Sequence, residues 1–133
     1  MDRKIAVVAI VENDGKVLLG KKTVSNHIFS GFWHIPGGKV HEGEKEGDVL
    51  IREMKEEAGI DIHVEKFMDE MFVPPSTIAR WYLCSYVSGK IKAGDDIDEA
   101  KFIDRDQVIN VCHPVVVEKW PTKVREYFGL KKA

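Results

Sequence analysis

Three glutamates near the middle of the chain are spaced to share one face of a helix. Glu53, Glu56 and Glu57 stand at positions i, i+3 and i+4, and successive helical residues turn by about 100°. Like charges at this spacing repel each other by roughly a few tenths of a kcal/mol per pair. Carboxylate oxygens are the ligands that Mg²⁺ and Mn²⁺ prefer. A divalent cation bound on this face would offset the repulsion and could assist chemistry on an anionic substrate.

The competing interpretation is a solvated acidic face on which Arg52 and Lys55 supply compensating charge. The net charge of the chain helps to decide between a metal site and a solvated face. The chain has 20 Lys and Arg and 22 Asp and Glu, which gives a net charge of −2. No basic excess is available to neutralise a nucleic-acid backbone. We therefore expect no nucleic-acid partner, and a small polyanionic substrate would need local cations or a bound metal.

A longer pattern surrounds these glutamates. Gly38 is followed after five residues by Glu44, and after seven more by the run Arg52-Glu53-Met54-Lys55-Glu56-Glu57-Ala58-Gly59-Ile60. This stretch resembles the Nudix box, G-x5-E-x7-R-E-U-x-E-E-x-G-U with U a bulky aliphatic residue, and all of its fixed positions match. The box covers residues 38–60. The strand pattern on both sides resembles the family more loosely across most of the chain.

The resemblance implies a role for each matching residue. Glu56 and Glu57 match the family's main metal ligands. Glu53 matches a further ligand and, in some members, the general base. Arg52 resembles the residue that orients these glutamates, and Glu44 a structural or outer carboxylate. The implied fold is the Nudix α/β/α sandwich, an α/β class with a mixed β-sheet and a loop-helix-loop catalytic motif.

The reaction implied by the resemblance is attack of water on phosphorus, which splits the diphosphate linkage of a nucleoside diphosphate derivative. Mg²⁺ is the expected cofactor, with Mn²⁺ as a possible substitute. The backbone carbonyl of Gly37 or Gly38 would complete the coordination. Metal ions neutralise phosphate oxygens and lower the pKa of bound water, and a carboxylate can accept the proton.

A further acidic ligand or base is expected beyond the box. Many members of the family carry a segment like E-A-x-W/F before a strand, and Asp98-Glu99-Ala100-Lys101-Phe102 resembles it. Glu99 is the candidate for this role, with Asp96 as the alternative. The competing interpretation is that residues 95–99 form a solvated acidic loop.

The substrate is less well specified. Pro75 stands fifteen residues after Ile60, a position that in the family favours ADP-ribose or a nucleotide sugar, although it could equally end a strand. The short chain is also similar to MutT-like enzymes that hydrolyse nucleoside triphosphates. Lys39 flanks the box and could contact phosphate, while Trp33 and Arg80 are candidates for recognising the base.

Two other functions remain open. A Nudix domain can act as a nucleotide sensor without catalysis, although the complete set of glutamates argues against this. An isoprenoid diphosphate isomerase on the same fold would need a cysteine in the site, and Cys84 and Cys112 lack the expected context. The two cysteines form no CxxC pair, so we expect neither a disulfide nor a zinc site.

Hydrophobic periodicity predicts the elements that position the box. The predicted strands cover residues 5–11, 17–19, 32–35, 60–73 with a break, 78–87 and 101–103, and the predicted helices cover residues 48–58 and 114–128 with an interruption at Pro121. Gly59 is placed to end the first helix, whereas Lys45 is a weak N-terminal cap. Pro36-Gly37-Gly38 is expected to stop a strand, and residues 21–30 to form a polar loop.

The bulk properties are those of one globular domain. The 133 residues are 44% hydrophobic and 32% charged, which is ordinary for a soluble protein. We expect a single Nudix hydrolase domain over residues 1–133, without a signal peptide or membrane span, in the cytoplasm. Monomer and homodimer both remain open.

Overall fold

The computed structural model describes residues 3–22, 31–94 and 97–130. The elements in these ranges are β1 (Lys4–Asn13), β2 (Lys16–Lys21), β3 (Trp33–His34), β4 (Gly37–Val40), α1 (Glu46–Ala58), β5 (Asp61–Val73), β6 (Thr77–Ser88), β7 (Glu99–Asp104), a 3-10 turn (Arg105–Gln107), α2 (Val108–Val111), α3 (Pro114–Lys119) and α4 (Thr122–Tyr127). Most of the predicted loop at 21–30, and Asp96, lie outside the described residues. None of the described helices is long and apolar enough to cross a membrane.

The strands form one mixed sheet. Its order is β3-β2-β1-β6-β5, with β4 also paired to β1 and β7 also paired to β2. Strands β1 and β6 are parallel, and the other pairs are antiparallel. Strand β1 changes its neighbour along its length, because Glu12 and Asn13 pair with β2 whereas residues 5–8 pair with β4. The segment 33–40 therefore crosses from β2 to β1.

The two faces of the sheet bury different helices. Alternate residues of a strand point to opposite faces, so Val7 packs with Leu50 and Met54 of α1, whereas Ile10 packs with Trp81 and the C-terminal helices. This helix-sheet-helix arrangement confirms the predicted α/β sandwich. We call the two sides the α1 face and the C-terminal face.

Helix α1 ends as the sequence predicts. Gly59 adopts the left-handed conformation with φ 74°, and its N–H donates to Lys55 O at 3.0 Å. The helix begins at Glu46, two residues before the predicted start, although Lys45 makes no side-chain capping hydrogen bond. Packing holds this end, because Val49 and Leu50 in the next turn are fully buried.

Two local elements were not predicted. Strand β3 ends at His34, before Pro36, as the sequence indicates, but Gly37–Val40 then form β4 because β1 offers them a pairing partner. The C-terminal region also contains α2, which the sequence pattern did not indicate. The predicted interruption at Pro121 is confirmed, since it separates α3 from α4. The expected break in β5 is present as register shifts between Val64 and Asp69.

Candidate active site

Arg52 gathers the carboxylates of the box. Its guanidinium NH1 donates to Glu44 Oε2, its NH2 lies 3.7 Å from Glu53 Oε1, and its Nε lies 3.9 Å from Glu56 Oε1. Glu44 also accepts a hydrogen bond from the backbone N–H of His41 at 2.8 Å, which closes the loop before α1. The hydrogen bond from Arg52 holds the pKa of Glu44 below its ordinary value. One guanidinium thus links three acidic side chains.

Strand β4 presses the loop of the box against its helix. A Cβ atom added to Gly38 would lie 2.5 Å from Glu53 Cδ, so a larger residue here would have to displace the Glu53 side chain. The Glu53 side chain is 16% exposed. Gly38 pairs with Val7 of β1. The Glu53 carboxylate is therefore held between α1 and the backbone of β4. The carbonyl groups predicted as metal ligands, those of Gly37 and Gly38, are part of the same strand.

Glu57 and Glu56 differ in burial. Glu57 is 8% exposed, the one buried charged residue in the described part of the chain, whereas the side chain of Glu56 is 61% exposed. The chain returns to this end of α1 at Gly94, whose N–H donates to Glu57 O at 2.9 Å. A side chain at Gly94 would overlap the carbonyl oxygen of Glu56. Gly94 therefore lies beside the backbone of these two glutamates.

Glu99 lies at the start of β7. Its side chain is 56% exposed and lies 3.9 Å from Lys21 Nζ. Lys21 gives Glu99 a structural partner. The role of Glu99 as a metal ligand or base stays a prediction. The alternative residue, Asp96, lies outside the described residues.

The donor set fits a hard divalent cation by its chemistry. Glu53, Glu56 and Glu57 offer carboxylate oxygens, and β4 offers backbone carbonyls. Within residues 3–22, 31–94 and 97–130, no group of three acidic, His or Cys side chains is close enough to enclose a metal ion. Mg²⁺ commonly takes one or two carboxylates and completes its shell with water and substrate phosphate oxygens. The arrangement therefore fits a cation that is coordinated by both the protein and the substrate better than one enclosed by protein ligands alone.

Arg80 is committed to a structural ion pair. Its Nε donates to Glu46 Oε1 at 2.6 Å, its NH1 donates to Glu70, and its guanidinium lies 4.5 Å from the ring centre of Phe67. It points to the α1 face because its neighbour in β6, Trp81, packs on the C-terminal face. These contacts give Arg80 a structural role between α1, β5 and β6, and we do not propose it as a substrate contact.

The other predicted substrate residues lie apart from one another. Trp33 packs on the C-terminal face near two ammonium groups, with Lys21 Nζ at 5.5 Å and Lys101 Nζ at 5.1 Å from its ring centre. Pro75 is exposed in the turn between β5 and β6. Lys39 is exposed on β4 opposite Ala6, on the face away from Glu53.

An apolar cleft on the C-terminal face was not predicted. It has a volume of about 370 Å³ and includes Val8, Ile35, Ala79, Trp81, Val116 and Trp120 in its lining. His34 and Lys119 supply its polar groups. Binding sites for small molecules are commonly apolar with a few polar groups. The sequence shows these residues only as core candidates, because their convergence depends on how α3 packs against the sheet.

The cysteines do not suit a catalytic role. Burial raises the pKa of both thiols to about 12. Cys112 lines the apolar cleft, whereas Cys84 is fully buried in the cluster on the α1 face. A thiol with such a pKa is a poor nucleophile or acid at neutral pH. The thiols therefore give no support to the hypothesis of an isoprenoid diphosphate isomerase, which needs a cysteine in its site.

Comparison with known proteins places the chain among Nudix proteins. The sequence profile of the NUDIX domain matches residues 2–124. An ADP-ribose pyrophosphatase from Methanocaldococcus jannaschii is 35% identical over 105 residues, which cover 75% of this chain and 61% of that protein. A CTP pyrophosphohydrolase from Escherichia coli is 39% identical over 62 residues, which cover 47% of this chain and 45% of that protein. The alignment with this chain thus spans 61% of the first relative and 45% of the second.

A solved structure supports the same fold. A NUDIX hydrolase from Nitrosomonas europaea superimposes with a TM-score of 0.79 at 18% identity, covering 98% of this chain and 76% of that one. At this identity the likeness concerns the fold alone. It agrees with the helix-sheet-helix arrangement described above.

Proposed function

This chain belongs to the NUDIX family, and from that premise we propose that it is a divalent-metal-dependent hydrolase of the diphosphate linkage in a nucleoside diphosphate derivative. The observation that carries the proposal is the Arg52 cluster, which brings Glu44, Glu53 and Glu56 around one guanidinium beside the buried Glu57. Repelling carboxylates at this density are expected where a cation completes the charge balance.

Different residues of the proposed site would bind the metal ion and orient its ligands. Glu53, Glu56 and Glu57, with a carbonyl of Gly37 or Gly38, would hold Mg²⁺, or Mn²⁺ in its place. When bound, the cation neutralises phosphate oxygens and lowers the pKa of the attacking water. Arg52 fixes the orientation of Glu53 and Glu56 through the contacts given above.

The reaction needs one water and no covalent intermediate. Its oxygen forms a bond to phosphorus, its proton passes to a carboxylate, and the bond from phosphorus to the bridging oxygen breaks. The electron pair of that bond leaves with the second phosphate group. We assign the proton acceptor to Glu53, which β4 holds in place, with Glu99 as the alternative base.

The substrate has two candidate classes. Pro75 and the similarity to an ADP-ribose pyrophosphatase favour ADP-ribose or a nucleotide sugar. The similarity to a CTP pyrophosphohydrolase favours a nucleoside triphosphate. In either class the apolar cleft is our candidate for the base, because its lining is mainly apolar and aromatic, with His34 and Lys119 as polar groups. We further propose a cytoplasmic enzyme, monomeric or homodimeric, that acts on small nucleotides.

The test is a hydrolysis panel with Mg²⁺ on ADP-ribose, nucleotide sugars and nucleoside triphosphates, including an 8-oxo nucleotide. AMP released from ADP-ribose identifies the first class, and pyrophosphate released from a triphosphate identifies the second. Tight nucleotide binding without product would replace the hydrolase with a sensor.

Glu57→Gln should lower kcat at least about a hundredfold on the active substrate, because it removes a charged ligand without changing side-chain size. Glu126→Gln, an exposed change on α4, is the matched control and should keep full activity. Full activity of Glu57→Gln would contradict the assigned ligand role.

A further inference from the structure

A row of paired residues crosses four strands of the sheet beneath α1. The row runs from Gly38 of β4 through Val7 of β1 and Arg80 of β6 to Glu70 of β5. Residues directly opposite each other on paired strands share one face of the sheet. Val7 packs in the same cluster as the buried residues of α1. The row therefore lies on the α1 face.

Helix α1 places two of its glutamates on members of this row. Glu46 Oε1 accepts a hydrogen bond from Arg80 Nε at 2.6 Å, and Glu53 lies against Gly38. The two glutamates are seven residues apart, which is nearly two full turns and about 10.5 Å along the helix. Gly38 and Arg80 are two strands apart, which is roughly 9.5 Å across the sheet. The spacing along the helix thus matches the spacing across the strands.

The contacts of Glu46 are directional. Tyr82, also on β6, donates its hydroxyl hydrogen to the same oxygen of Glu46. Between the two glutamates, Leu50 and Val7 are buried in one apolar cluster. Apolar burial is non-directional, whereas a hydrogen bond holds two atoms within a narrow range of distance and angle. Glu46 therefore fixes the first turn of α1 to the sheet, where Lys45 makes no side-chain cap.

We infer that Arg80 and Tyr82 are positioning residues that act through Glu46 on the metal-binding carboxylates. The inference rests on the proposed function and assigns to its site two residues outside the set that would bind metal or substrate. By fixing the rotation and the axial position of α1, Glu46 places Glu53 against β4. A displacement of about 1 Å can cost about a hundredfold in rate. Loss of these contacts therefore weakens metal binding and slows hydrolysis while the fold persists.

The test compares Glu46→Ala with Glu70→Ala. Each variant removes one carboxylate partner of Arg80, but only Glu46 belongs to α1. The affinity for Mn²⁺ without nucleotide and the kcat on the active substrate are measured well below the melting temperature of each variant. We expect Glu46→Ala to lose about tenfold in each quantity. Glu70→Ala should stay within about twofold of the wild type, because it breaks a half-exposed ion pair away from the helix.

Glu46→Gln separates position from charge. Glutamine has the length of glutamate and keeps an oxygen that can accept from Arg80 and Tyr82. This variant should therefore recover most of the Mn²⁺ affinity and kcat that Glu46→Ala loses. Equal losses in the two variants of Glu46 would show that its negative charge acts on the metal from a distance, and would overturn the inference.

Two further results would overturn it. One is wild-type Mn²⁺ affinity and kcat in Glu46→Ala. The other is an equal loss in Glu70→Ala, because a general loss of stability, measured by thermal unfolding, would then explain both variants. Failure of the proposed function has a different signature. A wild type that binds no Mn²⁺ would overturn both proposals, whereas one that binds Mn²⁺ but hydrolyses nothing would overturn the proposed function alone, since the Mn²⁺ affinities of the variants would still test the positioning role.

Discussion

At the scale of single residues, Arg52 is the most informative side chain of the site. A carboxylate on one helix face is usually solvated, but here one guanidinium contacts Glu44 from the preceding loop and Glu53 and Glu56 from its own helix. A guanidinium is planar and carries five N–H donors, whereas an ammonium is a compact point charge. The geometry of the acidic residues therefore depends on arginine and not only on a positive charge.

Arg52→Lys should lower kcat by about tenfold or more while the thermal stability changes little, because a single ammonium cannot reach all three carboxylates. Steady-state hydrolysis of the active substrate and a melting curve provide the two measurements. Lys55→Gln is the control, since Lys55 lies on the same helix and pairs with Asp61 at 3.5 Å instead. Wild-type kcat in Arg52→Lys would show that charge alone is sufficient.

At the scale of elements, the two ends of α1 each contain a glycine, but only the one at the C-terminal end is required by its backbone conformation. Gly47 lies in the first turn, where an added Cβ would meet no atom within 4 Å. Gly59 ends the helix with φ 74°, and an added Cβ would lie 3.2 Å from the carbonyl oxygen of Lys90. Glycine weakens a helix interior but is favoured at a left-handed terminus. The same substitution should therefore have opposite effects at the two positions.

Gly47→Ala should raise the free energy of unfolding by up to about 1 kcal/mol, because alanine restricts the unfolded chain and favours the helix. Gly59→Ala should lower it by about 1 kcal/mol or more, because alanine disfavours positive φ and crowds Lys90. Urea unfolding of the two variants gives both values. An unchanged or raised free energy of unfolding in Gly59→Ala would show that the end of the helix does not depend on the conformation of Gly59, and a loss in Gly47→Ala would contradict the first prediction.

At the scale of the whole molecule, the site depends on the docking of β4 against α1. Gly37 and Gly38 are adjacent but face different neighbours. A side chain at Gly37 would overlap the carbonyl oxygen of Val7 in β1, whereas a side chain at Gly38 would meet the side chain of Glu53. The first glycine permits the strand pairing, and the second permits the contact between the strand and the acidic helix.

Gly38→Ala should lower both activity and stability through its contact with Glu53, and the stability loss should be partly reversed in Gly38→Ala/Glu53→Ala. Residues in contact show interaction energies of about 0.5–3 kcal/mol in double-mutant cycles. Urea unfolding of the wild type, both single variants and the double variant measures this coupling. The parallel cycle with Glu56→Ala should be additive, and coupling of equal size there would refute the specific contact.

The sequence by itself determined the features that depend on local spacing. The i, i+3, i+4 positions of Glu53, Glu56 and Glu57 specify one helix face because the helical period is fixed by backbone geometry. Gly59 specified the end of α1 because its conformation is a property of one residue. Short hydrophobic runs and the turn residues between them specified most strands, and together with the box they predicted the family and the layered fold.

Only the tertiary structure decided the features that depend on pairing between distant segments. Strand β4 forms because β1 offers it a partner, and the register of that pairing puts Gly38 toward Glu53 and Lys39 toward the opposite face. Arg80 reads as a free cation in the sequence, yet Glu46 lies 2.6 Å away across the fold. A one-residue shift of register would exchange these faces, and neither composition nor periodicity determines it.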